Sequence, residues 1–166
     1  MIIFSLIQMM TMYFLMSLLL VNLSECSITE KQCLILTSAL KSNPSHLREL
    51  DLSCNQIKNT GVNHLCDVLK DSHCKLKRLR LRDCDLTDEG CSAVTSALKS
   101  NPSHLRELIL RGNKLLGDSG VKNLNDLLMN TQFKLEKLEG PPPIILTHTT
   151  QTVMCHPDYI SHDPLH

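Results

Sequence analysis

The stretch LRELDLSCNQI, residues 47–57, decides the fold because it recurs along the chain. Its counterparts are LLLVNLSECSI at 18–28, LKRLRLRDCDL at 76–86 and LRELILRGNKL at 105–115, so the pattern returns every 29 residues. All four follow the template LxxLxLxxNxL, with Asn or Cys at the ninth position and Val allowed at the fourth. Self-similarity at a period of roughly 20–50 residues is typical of a repeat protein whose units share one continuous core.

The LxL centre of the template predicts a strand. In an extended chain, alternate side chains point to opposite faces, so the leucines enter the core and the residues between them face solvent. The ninth position is expected to form a buried structural ladder, because an Asn amide there can satisfy backbone groups where the chain turns and Cys is a smaller substitute. The ladder residues are Cys26, Asn55, Cys84 and Asn113.

Between the templates, apolar residues follow steps of three and four, which predicts one helix per unit with a single buried face. The face comprises Cys33, Leu36, Ala39 and Leu40, then Val62, Leu65, Val68 and Leu69, then Cys91, Val94, Ala97 and Leu98, then Val121, Leu124, Leu127 and Leu128. The expected N-caps are Thr29, Thr60, Thr87 and Asp118 or Ser119.

Stacking these units predicts an α/β solenoid. Strands stack about 4.8 Å apart whereas helices need about 8–10 Å, so the array must curve. We therefore expect a partial horseshoe with parallel strands on the concave face and helices on the convex face. Residues 18–139 form this domain, with about four repeats and a partial fifth that begins at Leu135 and has Gly140 where the third Leu belongs.

The two ends lie outside the pattern. Residues 1–17 form an apolar segment, and residues 1–24 contain no charged side chain. As a helix, these 24 residues would be long enough to span about 30 Å of hydrocarbon. Three alternatives stay open: a makeshift cap on the open end of the solenoid, a secretory signal or a membrane anchor. Residues 140–166 begin with GPPP and show neither the alternation of a strand nor the three-and-four spacing of a helix, which predicts an unpaired, disordered tail.

Composition excludes several classes of function. Lys plus Arg and Asp plus Glu are 17 each, so no overall field attracts nucleic acid, and a membrane partner is expected only if the first segment is an anchor. Cys26 and Cys84 are 58 residues apart, as are Cys33 and Cys91, which favours reduced core thiols over a disulfide framework. Because neither a zinc-type spacing nor a nucleophile with its base is present, we expect no metal, no cofactor and no catalytic residue.

The templates, with Asn and Cys alternating at the ninth position, resemble ribonuclease-inhibitor-type leucine-rich repeats. The stretches CSITEKQC, CDLTDEGC, TSALKSNPSHLRELDLS and LCDVLKDSHCKLKRLRL are similar to the leucine-rich region of the nucleotide-binding (NACHT, NOD-like) receptors of bony fish. The resemblance implies a cytoplasmic, non-enzymatic module that binds a protein partner in innate immune sensing. The phosphate-binding loop GxxxxGK[ST] is missing, so nucleotide binding is not carried over.

The exposed strand positions are the predicted partner-binding face. They are Glu49, Asp51, Arg78, Arg80, Arg82, Glu107, Ile109 and Arg111, in which the three arginines of one strand form a ridge between acidic neighbours. The alternative is a solvated face whose charges pair with one another across strands. Two other functions stay open: a ribonuclease-inhibitor-like decoy or inhibitor, and a secreted or membrane-attached recognition ectodomain if residues 1–24 are a signal or anchor.

Overall fold

The structure is a computed structural model that describes residues 20–42, 46–102, 104–113, 118–130, 132–140 and 145–147. The predicted segment 1–17 and most of the predicted tail lie outside these residues. Strands and helices alternate in the order β1 (Leu20–Asn22), α1 (Glu30–Ser42), β2 (Glu49–Asp51), α2 (Lys58–Leu69), β3 (Arg78–Arg80), α3 (Asp88–Ser100), β4 (Glu107–Ile109), α4 (Asp118–Met129), β5 (Lys137–Glu139) and β6 (Ile145–Thr147).

The sheet follows chain order, and β1 to β5 are parallel. Leu50 lies beside Leu79, and Leu79 lies beside Leu108, so each strand is displaced from the last by one sequence period. Each helix packs against the next helix along the chain. The predicted α/β solenoid, with strands on one face and helices on the other, is confirmed.

The leucines of the template form the core. The LxL leucines of the three central strands have exposed fractions of 1% or less, and they are Leu50, Leu52, Leu79, Leu81, Leu108 and Leu110. Burying one such side chain contributes about 1.5–3 kcal/mol, so the stacked rows are the main source of stability. The predicted helix faces meet these rows, although Ala39 is only half-buried and the side chains of Val121 and Leu128 lie outside the description.

The helix starts differ in part from the expected caps. Thr87 is the N-cap of α3, but its side chain makes no capping hydrogen bond and instead accepts one from Asn59 Nδ2 at 2.7 Å. Thr60 was wrongly predicted as a cap, since α2 already begins at Lys58. The carbonyl of Cys84 in the next coil accepts the Lys58 N–H at 3.0 Å, so this donor at the helix start is satisfied without a Thr60 cap.

The expectation of an unpaired tail is wrong for residues 145–147. They form β6, which pairs antiparallel with β5 and places Leu146 opposite Leu138. The physical reason is that a terminal strand presents unpaired N–H and C=O groups, and the sequence Ile-Leu-Thr has a high strand propensity.

Among the described residues, no helix combines the length and apolar character needed to cross a bilayer. Residues 1–19, on which the signal and anchor alternatives depend, lie outside that observation.

Candidate interaction surface

The concave face consists of the outward side chains of β2 to β5 and of the residues that directly follow them. Strand pairing sorts these side chains into columns. One column contains Glu49, Arg78, Glu107 and Lys137, and the next contains Asp51, Arg80, Ile109 and Glu139. Acidic and basic side chains alternate between neighbouring strands in the first column, whereas Ile109 interrupts the second; opposite charges on adjacent strands favour cross-strand ion pairs.

The arginine ridge is largely neutralised by this alternation. Arg78 pairs with Glu49, and its Nε lies 3.4 Å from Glu107 Oε2. Arg80 donates from Nη2 and Nε to Glu107 Oε1 at 3.1 and 3.2 Å, and its Nη1 lies 3.9 Å from Asp51 Oδ2. The charges thus pair across strands, as the alternative interpretation of this face predicted, and Glu107 serves both arginines.

Two cations beyond the strand ends are less constrained. The side chain of Arg82 is 56% exposed and pairs with its sequence neighbour Asp83, with Nε and Oδ2 2.9 Å apart. Arg111 is exposed, and its side chain forms no ion pair within the part of the chain that the structure describes. On the concave face, the positive charge open to a partner is therefore concentrated at the carboxyl ends of β3 and β4.

Ile109 is a correction to the predicted binding face, since only 6% of it is exposed. It lies in register between Arg80 and Glu139, whose longer side chains flank it on both sides. It forms part of the lining of a shallow groove of about 350 Å³ that also includes Asp51 and Arg82. Ile109 therefore supplies an apolar floor instead of an exposed contact.

The ladder position joins each coil to the one before it. Asn55 Nδ2 donates to the carbonyls of Leu23 and Leu52, both at 2.8 Å, while its Oδ1 accepts the Ile28 N–H at 2.8 Å. Cys84 is fully buried, and its thiol donates to the Leu52 carbonyl at 3.1 Å. The strand edge that carries the binding face is therefore held in register by buried polar contacts.

Cys26 is a second correction, because its side chain is exposed and not a buried member of the ladder. It contacts the carbonyl of Ser24 at 3.3 Å. It belongs to the first described coil, and a ladder residue is buried by the coil that precedes it. Within the described residues, the ladder consists of Asn55, Cys84 and Asn113.

The described cysteines are free thiols. Burial raises the pKa of Cys33, Cys84 and Cys91 to about 12 and that of Cys66 to about 11, with a smaller opposing effect of Lys70 at Cys66. Thiols of this kind are neutral and unreactive near pH 7. In the described part of the chain, His, Cys, Asp and Glu side chains form no cluster of three or more that could hold a metal ion.

A cluster of basic side chains lies at the amino ends of the strands and was not predicted from the sequence. Its side chains line a pocket of about 260 Å³ and are Arg48, Lys75, Lys77, His104 and Arg106. The signal was present in the template, whose second position is basic in three consecutive repeats, at residues 48, 77 and 106. We name these five residues the basic edge.

The repeats match a known family. Residues 43–66, 72–94 and 101–124 match the family model described as Leucine Rich repeat. The chain contains leucine-rich repeats. It is similar to the ribonuclease inhibitor of Sus scrofa, with 42% identity over 119 residues that cover 72% of this chain and 25% of that protein. It is also similar to NACHT, LRR and PYD domains-containing protein 14 of Homo sapiens, with 40% identity over 117 residues that cover 70% of this chain and 10% of that protein.

These relatives confirm the resemblance to ribonuclease-inhibitor-type repeats and to NOD-like receptors. Both proteins are mammalian, so the particular likeness to fish receptors stays a prediction. The solved structure of the leiomodin-1 actin-binding site 2 superposes with a TM-score of 0.64 at 24% identity and covers 74% of this chain and 69% of its own, which shows the shared fold alone.

The leucine-rich repeats of this chain form a protein-interaction module, and the matching family is a repeat family and not an enzyme family. The chain spans about a quarter of the length of the ribonuclease inhibitor and about a tenth of the length of the NACHT protein.

Proposed function

We propose that this chain is the partner-sensing part of a NOD-like innate immune receptor and binds a protein through its concave face. The proposal is supported by the 40% identity to the NACHT protein and by the in-register columns of charged side chains on β2 to β5. The residues proposed to contact the partner are Glu49, Asp51, Arg78, Arg80, Arg82, Glu107 and Arg111. A cytoplasmic location is part of the proposal, because buried free thiols suit a reducing compartment.

The observation that carries the proposal is that two arginines of the face are held in ion pairs across strands and two others are not. Arg78 and Arg80 are held by acidic neighbours, so little side-chain freedom is lost when a partner covers them. Arg82 and Arg111 extend from the same side and keep donors for a carboxylate of the partner. The face thus combines a charge-paired centre with a cationic border, and we expect a partner with a polar centre and acidic residues beside it.

A second candidate is binding of a ribonuclease, because the similar Sus scrofa protein is a ribonuclease inhibitor. The acidic side chains of the concave face that would attract a basic enzyme already pair with Arg78 and Arg80, which weakens this candidate. Calorimetric titration of the full chain with pancreatic ribonuclease tests it, and heat of binding in the nanomolar to micromolar range would establish it over the receptor proposal.

The test of the main proposal compares two double variants of the full chain. Arg82→Glu with Arg111→Glu reverses the cationic border, whereas Lys70→Glu with Lys99→Glu makes the same change in net charge at exposed sites associated with the helices. Partners captured by the wild type are identified by mass spectrometry, and the affinity of each purified partner is measured by calorimetry. We expect the first variant to weaken binding at least tenfold and the second to leave it unchanged. Equal affinities of both variants would refute the concave face as the docking site.

A further inference from the structure

The basic edge gathers five cationic or titratable side chains at the amino ends of the strands. Backbone hydrogen bonds between coils fix three of its positions. The Lys77 N–H donates to the Arg48 carbonyl at 2.7 Å, and the Arg106 N–H donates to the Lys77 carbonyl at 2.8 Å. The backbone positions of Arg48, Lys77 and Arg106 on consecutive coils are therefore about 4.8 Å apart. Lys75 and His104 complete the lining of the same pocket.

This cluster differs from the concave face in its balance of charge. On the concave face every strand arginine has an acidic neighbour in register, whereas the residues that line the basic edge pocket include no Asp or Glu. The fifth coil places Glu136 after Arg106, with Oε1 and Nη1 3.5 Å apart, but the Glu136 side chain is 67% exposed. The Glu136 carboxylate is therefore largely solvated, while the side chains that line the pocket are all basic.

The pKa of His104 responds to these surroundings. Burial, together with the positive charge of Lys75, lowers the pKa of His104 below its ordinary value, and the Ser72 backbone opposes this in part. Cations that converge on one pocket repel one another, and a bound anion reduces that repulsion. Arg106 offers a planar fork suited to a tetrahedral oxyanion, and Lys75 and Lys77 offer compact point charges.

The volume of the pocket limits the size of the ligand. A volume of about 260 Å³ lies below the range of about 300–1,000 Å³ that is typical of sites for drug-sized molecules. We propose that the basic edge binds a phosphate group, carried as the free dianion or as a small phosphate monoester. This site lies at the strand ends opposite to those that carry Arg82 and Arg111, and it is independent of the proposed partner-binding role.

Nuclear magnetic resonance of the full chain tests this site directly. The imidazole resonances of His104 are followed during titration with inorganic phosphate, with O-phospho-L-serine and with chloride at equal ionic strength. We expect a saturable change with phosphate and an increase in the pKa of His104, because a bound dianion opposes the effects of burial and of Lys75. If both phosphate compounds saturate the site, the phosphate group itself is the ligand, and if only phosphoserine does, the ligand is an ester.

Two double variants separate a site from general ionic screening. Lys77→Gln with Arg106→Gln is expected to weaken phosphate binding about tenfold or more, in keeping with the loss of charge-assisted hydrogen bonds. Lys31→Gln with Lys58→Gln removes the same charge near the amino ends of α1 and α2 and is expected to bind as the wild type does. Far-UV circular dichroism verifies that both variants fold. An identical response to chloride, unsaturable shifts, or equal loss in both variants would overturn the proposal.

Discussion

The side chain of Asn113 fastens Cys84 of the preceding coil, with 2.8 Å between Asn113 Oδ1 and the Cys84 backbone nitrogen. The same oxygen accepts the Leu86 N–H at 3.1 Å, and Nδ2 donates to the carbonyls of Leu81 and Leu110 at 2.7 and 2.8 Å. One buried amide therefore satisfies four backbone groups on two coils. Loss of such an amide leaves those groups unpaired in the core, which is costlier than the loss of the bonds alone.

Asn113→Ala is therefore expected to lower the free energy of unfolding by about 3–5 kcal/mol. Urea denaturation followed by circular dichroism measures the change. The matched control is Asn123→Ala, because Asn123 is half-buried and makes one side-chain hydrogen bond, to Ser92 Oγ at 3.0 Å. We expect the control to cost about 1 kcal/mol or less. Similar losses in the two variants would show that the ladder amide has no special role.

The buried thiols predict alkaline destabilisation. The folded-state pKa of Cys33, Cys84 and Cys91 is raised from the ordinary 9.0 to about 12, so the unfolded chain ionises first as pH rises. Their contribution to stability is complete below pH 9 and is lost between about pH 9 and 12. Each thiol adds a slope of at most about 1.4 kcal/mol per pH unit.

Unfolding in urea at a series of pH values tests this expectation. Replacing Cys33 and Cys91 by Ala is expected to make the alkaline decline shallower than in the wild type, whatever the cost of the substitution at pH 7. A decline of unchanged slope would assign the effect to other groups.

Glu107 is expected to be the key acidic residue of the concave face. Only 14% of its side chain is exposed, and it lies within 3.4 Å of both Arg78 and Arg80. Because the arginine side chains are 49% and 36% exposed, solvent screens these pairs, and Glu107→Gln is expected to cost about 1 kcal/mol.

A double-mutant cycle of Glu107→Gln with Arg80→Gln measures the coupling between the two side chains. We expect it to shrink when salt is raised from 0.05 to about 1 M, where the screening length falls to about 3 Å. Coupling that is absent at low salt would contradict the network described above.

Gly112 is expected to tolerate substitution poorly. It has φ +78°, and a Cβ at this position would lie 1.8 Å from Asp83 Oδ1. Gly112→Ala is expected to destabilise by roughly 1–2 kcal/mol for the left-handed conformation, with an added cost from the contact with Asp83.

The two costs of Gly112→Ala are separated by making the substitution in an Asp83→Ala background. There the contact is relieved, so Gly112→Ala should cost less than in the wild type, as thermal denaturation would show. The same cost in both backgrounds would mean that the Asp83 side chain moves aside freely and only the backbone conformation matters.

The template was sufficient to predict which leucines are buried and which strand residues are neighbours. Glu49, Arg78 and Glu107 share one column because the period of the repeat is also the displacement between strands. The template could not reveal that Cys26 is exposed, since burial depends on a preceding coil that the pattern does not describe. It also treated Ile109 as exposed, because alternation along a strand carries no information about long side chains on the adjacent strands.

The strand β6 and the basic edge were missed for a different reason. Both features bring together residues that are distant in the sequence. Residues 145–147 pair with the edge of β5, and His104 lines the same pocket as Lys75 of the preceding coil. Inspecting the second template position as a column would have revealed Arg48, Lys77 and Arg106, because strand register applies to every position of the template.

The sequence by itself determined the period, the solenoid, the buried leucine rows and the order of charges in each column, because a fixed repeat and alternation along a strand leave little freedom in how coils stack. Only the tertiary structure decided which charges pair, which thiols are covered and which cations remain open to a ligand. Those outcomes depend on distances between side chains of different coils, and a one-dimensional pattern contains no such distances.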